Sequence, residues 1–301
     1  MQLYRIPTIY TSYKVIVLIF LMLIGYLSLQ PLYAAENRHN QTITYVGKER
    51  NDYPIRLLRL ALSYDKNTQF SLTPFGQDMP KMRAFSELNN VNGIDVLIGG
   101  ATIEREKLAL PIRFPIMKGL YGWRIALVHE DNKALFENIT HLYQLKKLSA
   151  LQFHTWSDSE ILAYNHINLV KGSDVEGLYQ MLERRRGDYF PRSVLEIDQD
   201  LENHKHMNIV KDSYALIWYP KAVYFYVGKH QQALADSIKS GLELALKDGS
   251  FDNLFYENFG NTVQALKANK RHIFKLNNPL ISAKTPLTRP ELWLNLSSAE
   301  H

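Results

Sequence analysis

Polar and apolar side chains alternate from Thr42 through Ile43, Thr44 and Tyr45 to Val46, a period of two that predicts a strand. Leu57, Leu58, Ala61 and Leu62 then fall on one face of a helix, with Asp52 placed to cap it and Pro54 in its first turn. A short strand is predicted over 70–73, and Pro80 opens a helix in which Met82, Phe85 and Leu88 are spaced by three. The run Ile94-Asp95-Val96-Leu97-Ile98 stops at Gly99-Gly100, which predicts a buried parallel strand entering a tight turn. Residues 113–129 form a long extended segment, with Gly119 and Gly122 where it must bend, and read as a crossing between lobes.

The middle third alternates strands and helices. Strands are predicted over 148–153 and 167–170. Each is followed by a capping-box pattern, Ser157-Asp158-Ser159-Glu160 and Ser173-Asp174-Val175-Glu176, in which serine and glutamate satisfy each other's free backbone N–H groups. Val175, Leu178, Tyr179 and Leu182 line one helical face, and the whole reads as an α/β lobe. The β-rich run 215–227, broken by Pro220, returns the chain toward the first lobe. Leu234, Ile238, Leu242, Ala245 and Leu246 stripe a long helix closed by Asp248-Gly249, and 251–259 predicts an aromatic helix.

The N-terminus differs in kind. Arg5 and Lys14 precede an apolar run of 15 residues, 15–29, after which Pro31 leads to Ala34-Ala35. That order is a secretory signal peptide, 1–34, and the run falls short of the roughly 20 residues that cross a bilayer. An uncleaved anchor is the competing reading, and either places the body of the protein outside the cytoplasm, in the periplasm. The chain has no cysteine, which excludes disulfides, thiol catalysis, thiolate metal sites and lipid attachment through cysteine. Hydrophobic residues make up 46% of it, enough for a large core. The formal charge of +5 falls to about +3 once Arg5 and Lys14 are removed, so charge gives no case for a nucleic-acid partner.

The order of elements over roughly 40–262 resembles the bacterial extracellular solute-binding proteins of family 3, the type II periplasmic binding proteins. The likeness rests on three stretches. Residues 94–107 carry a strand ending in Gly-Gly before Thr102-Ile103-Glu104-Arg105-Glu106-Lys107. Residues 182–189 end a helix and begin a strand. Residues 242–259 contain Lys-Asp-Gly-Ser-Phe and an aromatic helix. The resemblance implies two α/β lobes joined by crossing strands, with 35–122 and 216–301 as lobe 1 and 123–215 as lobe 2. It implies capture of a small polar solute, anionic or amino-acid-like, in the cleft between the lobes.

In that family an arginine after the Gly-Gly strand commonly pairs with a ligand carboxylate, and Arg105, behind Thr102, stands at the matching place; the plainer reading is an exposed helix arginine paired with Glu104 or Glu106. A guanidinium suits the task because its planar donors match carboxylate geometry. Thr155, Trp156 and Ser157 occupy the helix start where members bind an anion. Asp188 matches a strand entry, beyond which an acid for the ligand ammonium is expected, and Arg192 stands near that place instead. Arg105 and Arg192 facing one cleft would favour an anion over a zwitterion. Tyr121 and Trp123 are placed to line the cleft or to pack the hinge.

The resemblance implies no enzyme and no cofactor, a monomer, and a small-molecule ligand with a membrane permease as partner. A ligand-sensing or partner-binding protein without a transport role is the alternative. Two remaining features have plainer readings. His204-Lys205-His206 reads as a polar surface loop rather than a metal site, and Arg184-Arg185-Arg186 as a solvated last helical turn complementing the dipole. No nucleophile elbow, dinucleotide fingerprint or phosphate loop is present in the sequence. The segment 277–301 is expected to wrap back onto one lobe.

Overall fold

The computed structural model describes residues 1–2, 39–90, 92–268 and 270–296. The expected signal peptide therefore lies, after its first two positions, outside the described residues.

β1 (His39–Tyr45) buries Ile43 and Tyr45 and leaves Asn40 and Thr42 exposed, as its alternation predicts. It runs parallel to β2 (Thr68–Pro74), with α1 (Tyr53–Ser63) as the crossover between them. The α1 stripe Leu57, Leu58, Ala61 and Leu62 is buried, although Asp52 caps the helix by position only, without a side-chain hydrogen bond. α2 (Lys81–Glu87) buries Ala84 and Phe85 while Met82 faces outward. β3 (Val96–Gly100) meets β1 only at Tyr45 and otherwise pairs antiparallel with β11 (Val223–Val227). Gly99 and Gly100 are thus strand residues rather than a tight turn. α3 (Ile103–Leu108) leads to β4 (Leu110–Ile112), which completes a first sheet ordered β2-β1-β3-β11-β4. α8 (Gln232–Lys247) packs on α1 and on α9 (Ser250–Ala268), and their apolar faces join the same core.

The second sheet is built around β5 (Trp123–His129), whose seven residues are all buried. β8 (Phe190–Ser193) runs antiparallel along one edge of it. β9 (Ile209–Lys211) and β10 (Ala215–Trp218) share the other edge, with β12 (His272–Lys275) parallel outside β10. β6 (Ser149–Phe153) and β7 (Asn168–Gly172) pair in parallel around α5 (Ser157–Tyr164) and join the lobe by a bridge from Ala150 to Tyr189. α4 (Leu142–Leu145), α6 (Val175–Glu183) and α7 (Ile197–Asn203) connect these strands.

Neither capping box forms as expected. Trp156, not Ser157, is the N-cap of α5 and makes no side-chain cap bond, while the Ser159 hydroxyl donates to the Phe153 carbonyl. At α6 the cap is Asp174, which accepts from the Gly177 amide at 2.7 Å. Aspartate and serine are equivalent cap formers, so the motif located the helix start only to within one residue.

Two segments cross between the sheets, one around 117–122 and the other at 219–222. They touch backbone to backbone. The Tyr219 amide donates to the Gly122 carbonyl at 3.2 Å, and a Cβ on Gly122 would overlap the Tyr219 carbonyl oxygen. β10 and β12 belong to the second sheet, which corrects the assignment of all of 216–301 to lobe 1. The chain after β12 runs across both lobes rather than onto one. The Asn277 amide donates to Asn165 Oδ1 (3.0 Å), and Asn278 Nδ2 donates to the Pro220 carbonyl (2.8 Å). On the first lobe, Arg289 grips Glu243 through two bonds of 2.6 and 2.9 Å, and Leu294 donates its amide to the Lys118 carbonyl.

Candidate functional site

A cleft of about 830 Å³ opens between the two sheets, a volume typical of small-ligand sites. The first lobe contributes Lys81 at the start of α2, the end of β3 and Arg105 of α3. The second contributes Thr155 to Asp158 at the start of α5, together with Arg192 and Glu196. Tyr121, Arg124 and Lys221 come from the crossings and the strand beside them.

Arg105 reaches the cleft because Thr102 ends the loop after β3. The Thr102 hydroxyl accepts the Arg105 amide at 3.2 Å and starts the short helix. Thr102 is therefore a capping residue and does not line the cleft. Arg105 Nη1 donates to the Gly100 carbonyl at 2.9 Å, and a Cβ on Gly100 would crowd that nitrogen at 3.2 Å. Neither Glu104 nor Glu106 holds Arg105, because Glu106 is taken by Arg113 at 2.7 Å. Lys81 Nζ donates to the Ile98 carbonyl at 3.1 Å. Its ammonium is pushed below its usual value by desolvation first and then by the neighbouring Arg105 and Arg50. Among the described residues neither Lys81 nor Arg105 has a carboxylate partner within ion-pair distance.

The opposite wall is charged but satisfied. Arg192, only 7% exposed, lies over Trp156 (5.1 Å) and Phe190 (5.0 Å). It is claimed by Asp200 at 2.6 Å and Glu196 at 3.3 Å. Arg192 thus borders the cleft, but its charge is already met, and the expected pairing of Arg105 with Arg192 as two free cations does not occur. Asp158 accepts from Arg124, from the Tyr219 hydroxyl and from Lys221 Nζ, the last at 2.7 Å. Burial alone would raise its carboxyl, but Arg124 and then Lys221 hold it well below the usual carboxylate range. Burial pushes Tyr121 up, with Glu196 adding to the effect.

Thr155, Trp156, Ser157, Tyr121, Arg105 and Arg192 all line this cleft. Trp123 is not. It is 5% exposed and packs against Trp218 at 5.8 Å between ring centres, away from the cleft. Asp188 is not there either. Its carboxylate accepts the Ser149 amide at 2.6 Å and fastens β6 to the start of β8. His204, read as part of a surface loop, is buried, stacks on Tyr179 at 3.7 Å and meets Glu176 at 3.0 Å. Among the described residues no cluster of acids and histidines is arranged to hold a metal. Lys81, Arg124, Asp158 and Lys221 were missed as site residues. A charge heading an otherwise apolar strand, as Arg124 does, was the available signal.

No family model matches the chain, and no curated protein matches it. Among solved structures, the probable amino-acid ABC transporter extracellular-binding protein ytmK from Bacillus subtilis superposes with a TM-score of 0.53 at 18% identity, covering 73% of this chain and 98% of that one. The chain has the type II periplasmic binding protein fold. A second Bacillus subtilis protein gives a TM-score of 0.49 at 17% identity over 78% of this chain and 96% of its own. An ancestral arginine-binding protein bound to arginine gives 0.47 at 18% identity over 75% and 100%. In this type II fold the cleft between the two sheets is bordered by the crossing segments, so any motion of one lobe against the other reshapes it.

Proposed function

We propose that the protein is an exported periplasmic binding protein, not an enzyme, that captures a small anionic solute between its lobes and presents it to a membrane permease. The observation that carries this reading is the pair Lys81 and Arg105, two cations on one wall whose side-chain bonds, among the described residues, go only to carbonyls. Arg105 is half-buried and Lys81 more exposed; cations on one wall without a counter-ion attract an anion, and a guanidinium with an ammonium suits a carboxylate or a phosphate-like group. The acids of the opposite wall, Asp158 and Glu196, are held by their own cations, and Asp52, the acid on the first wall, lies 3.7 Å from Arg50, which together disfavour a ligand that needs a free carboxylate for an ammonium group. Ligand contact with both walls would shift the lobes toward closure. Thr155, Trp156 and Ser157 would meet the bound solute from the second lobe.

The test is a thermal-shift screen against organic acids, amino acids and short peptides. A ligand at 100 times its dissociation constant should stabilise the fold by about 2.7 kcal/mol. Anionic hits that weaken about 10- to 100-fold in Arg105→Ala, with folding intact, are expected from loss of a charged hydrogen bond. Hits confined to zwitterionic or cationic solutes, or an unchanged affinity in Arg105→Ala, would overturn the reading.

A further inference from the structure

The second wall of the cleft contains a complete anion site that the chain fills itself. Asp158, 6% exposed although it borders the cleft, presents its carboxylate to two cations and a phenol. One oxygen accepts from Arg124 Nη2 and from the Tyr219 hydroxyl, and the other accepts from Lys221 Nζ at 2.7 Å, with Ser157 Oγ at 3.4 Å. Arg124, 7% exposed, donates its Nε to the same Tyr219 hydroxyl at 2.9 Å. The carboxylate sits in the first turn of α5, where the helix dipole favours negative charge. Two cations therefore share one acid, and each donor aimed at the niche is taken up by that acid or by Tyr219.

Such a cluster costs desolvation energy whether or not a ligand comes, and truncating its one acid would leave the buried Arg124 and the half-buried Lys221 without a counter-charge. A protein that needed only a rigid hinge could fill the same volume with apolar side chains. The arrangement instead keeps a carboxylate-shaped, doubly cationic niche open to the cleft and occupies it with a side chain.

We infer that Asp158 is a built-in ligand. Its carboxylate occupies a second anion position of the cleft, leaving the Lys81 and Arg105 wall as the open one, so the native protein takes solutes with a single anionic group and excludes those with two spaced across the cleft. The single-anion preference rests on the proposed reading of Lys81 and Arg105; the niche around Arg124 and Lys221 does not.

The niche is tested with formate, which is the carboxylate alone, in the Arg105→Ala background so that the open wall contributes nothing. Thermal unfolding is followed as formate replaces chloride at constant ionic strength. Asp158→Gly empties the niche and should become saturably more stable in formate, with a response at least about tenfold more sensitive than that of Arg105→Ala alone. Asp158→Asn still fills the niche by volume, though it leaves both cations without an acid, and should respond less than Asp158→Gly does. Equal responses from all three, or none from Asp158→Gly, would overturn the inference. Should Asp158→Gly fail to fold in chloride, refolding in formate gives the same reading, recovery supporting the niche and no recovery overturning it. Failure of Arg105→Ala to change solute affinity with Asp158 intact would count against the proposed function and leave the niche standing. With Arg105 restored, Asp158→Gly should gain affinity for dicarboxylates relative to the native protein, and an unchanged preference would remove the specificity role.

Discussion

A carboxylate buried between a guanidinium and an ammonium couples stability to pH through its own proton. Asp158 is held below the carboxyl value of an unfolded chain, so its contribution to stability is present above about pH 4 and is lost as pH falls through the depressed folded value. Asp158→Asn should cost about 3–5 kcal/mol at neutral pH, since it strands Arg124 and Lys221. The gap between the two proteins should stay level above pH 4 and shrink in strong acid as Asp158 protonates, which urea denaturation at a series of pH values would show. Lys81 gives the opposite limb. Its ammonium loses its proton below the ordinary lysine value of about 10.4, so anion affinity should decline on the alkaline side of neutrality earlier than for a free lysine. Titrating binding against pH for the native protein and for Lys81→Arg should move that decline upward in the variant. These residues also show the limit of sequence reading at this scale. Asp188 and Asp158 are both acids next to strand or helix starts, yet one fastens a strand and the other faces the cleft.

At the scale of elements, helices and strands follow from local pattern, and their joints do not. The α1 stripe and the alternation of β1 were readable because burial on one side imposes a period on the chain. The role of Gly99 and Gly100 was not, because a strand that continues through glycines looks in sequence like one that turns there; pairing with β11 decides it. The joint between the crossings depends on Gly122. Gly122→Ala would drive a methyl group into the Tyr219 carbonyl, and the variant should lose about 1–3 kcal/mol, read from its denaturant midpoint. Tyr219 also donates to Asp158, so the same substitution should loosen the anion niche, and that part of the loss should fade in strong acid as Asp158 protonates.

For the whole molecule, two sheets are linked by two crossings and by the segment after β12. That segment bonds to Asn165 and Pro220 on one side and to Glu243 and Lys118 on the other. Leu292 anchors it with no exposed surface. Leu292→Ala should cost about 2–5 kcal/mol and make residues 276–296 the first site of limited proteolysis. A variant that loses stability with unchanged cleavage would show the anchor to be local packing alone. Because the segment touches both lobes, lobe motion must carry or stretch it, and ligand should protect it from protease more in the native protein than in Arg105→Ala.

The sequence by itself determined the alternation of strands and helices, the two-lobed α/β class, the position of Arg105 after a glycine-ended strand, and the start of α5 at Thr155 to Ser157. These follow from periodicity, caps and a resemblance in element order, all of which are local or sequential properties. Only the tertiary structure decided which charges are free. Arg192 is met by Asp200 and Glu196, while Arg124 and Lys221, 97 residues apart, close on Asp158. It also decided that β12 joins the second sheet and that the tail spans both lobes. The physical reason is that an ion pair or a sheet edge is chosen by distance in space. A chain pattern records which face of an element is buried but not what lies against it.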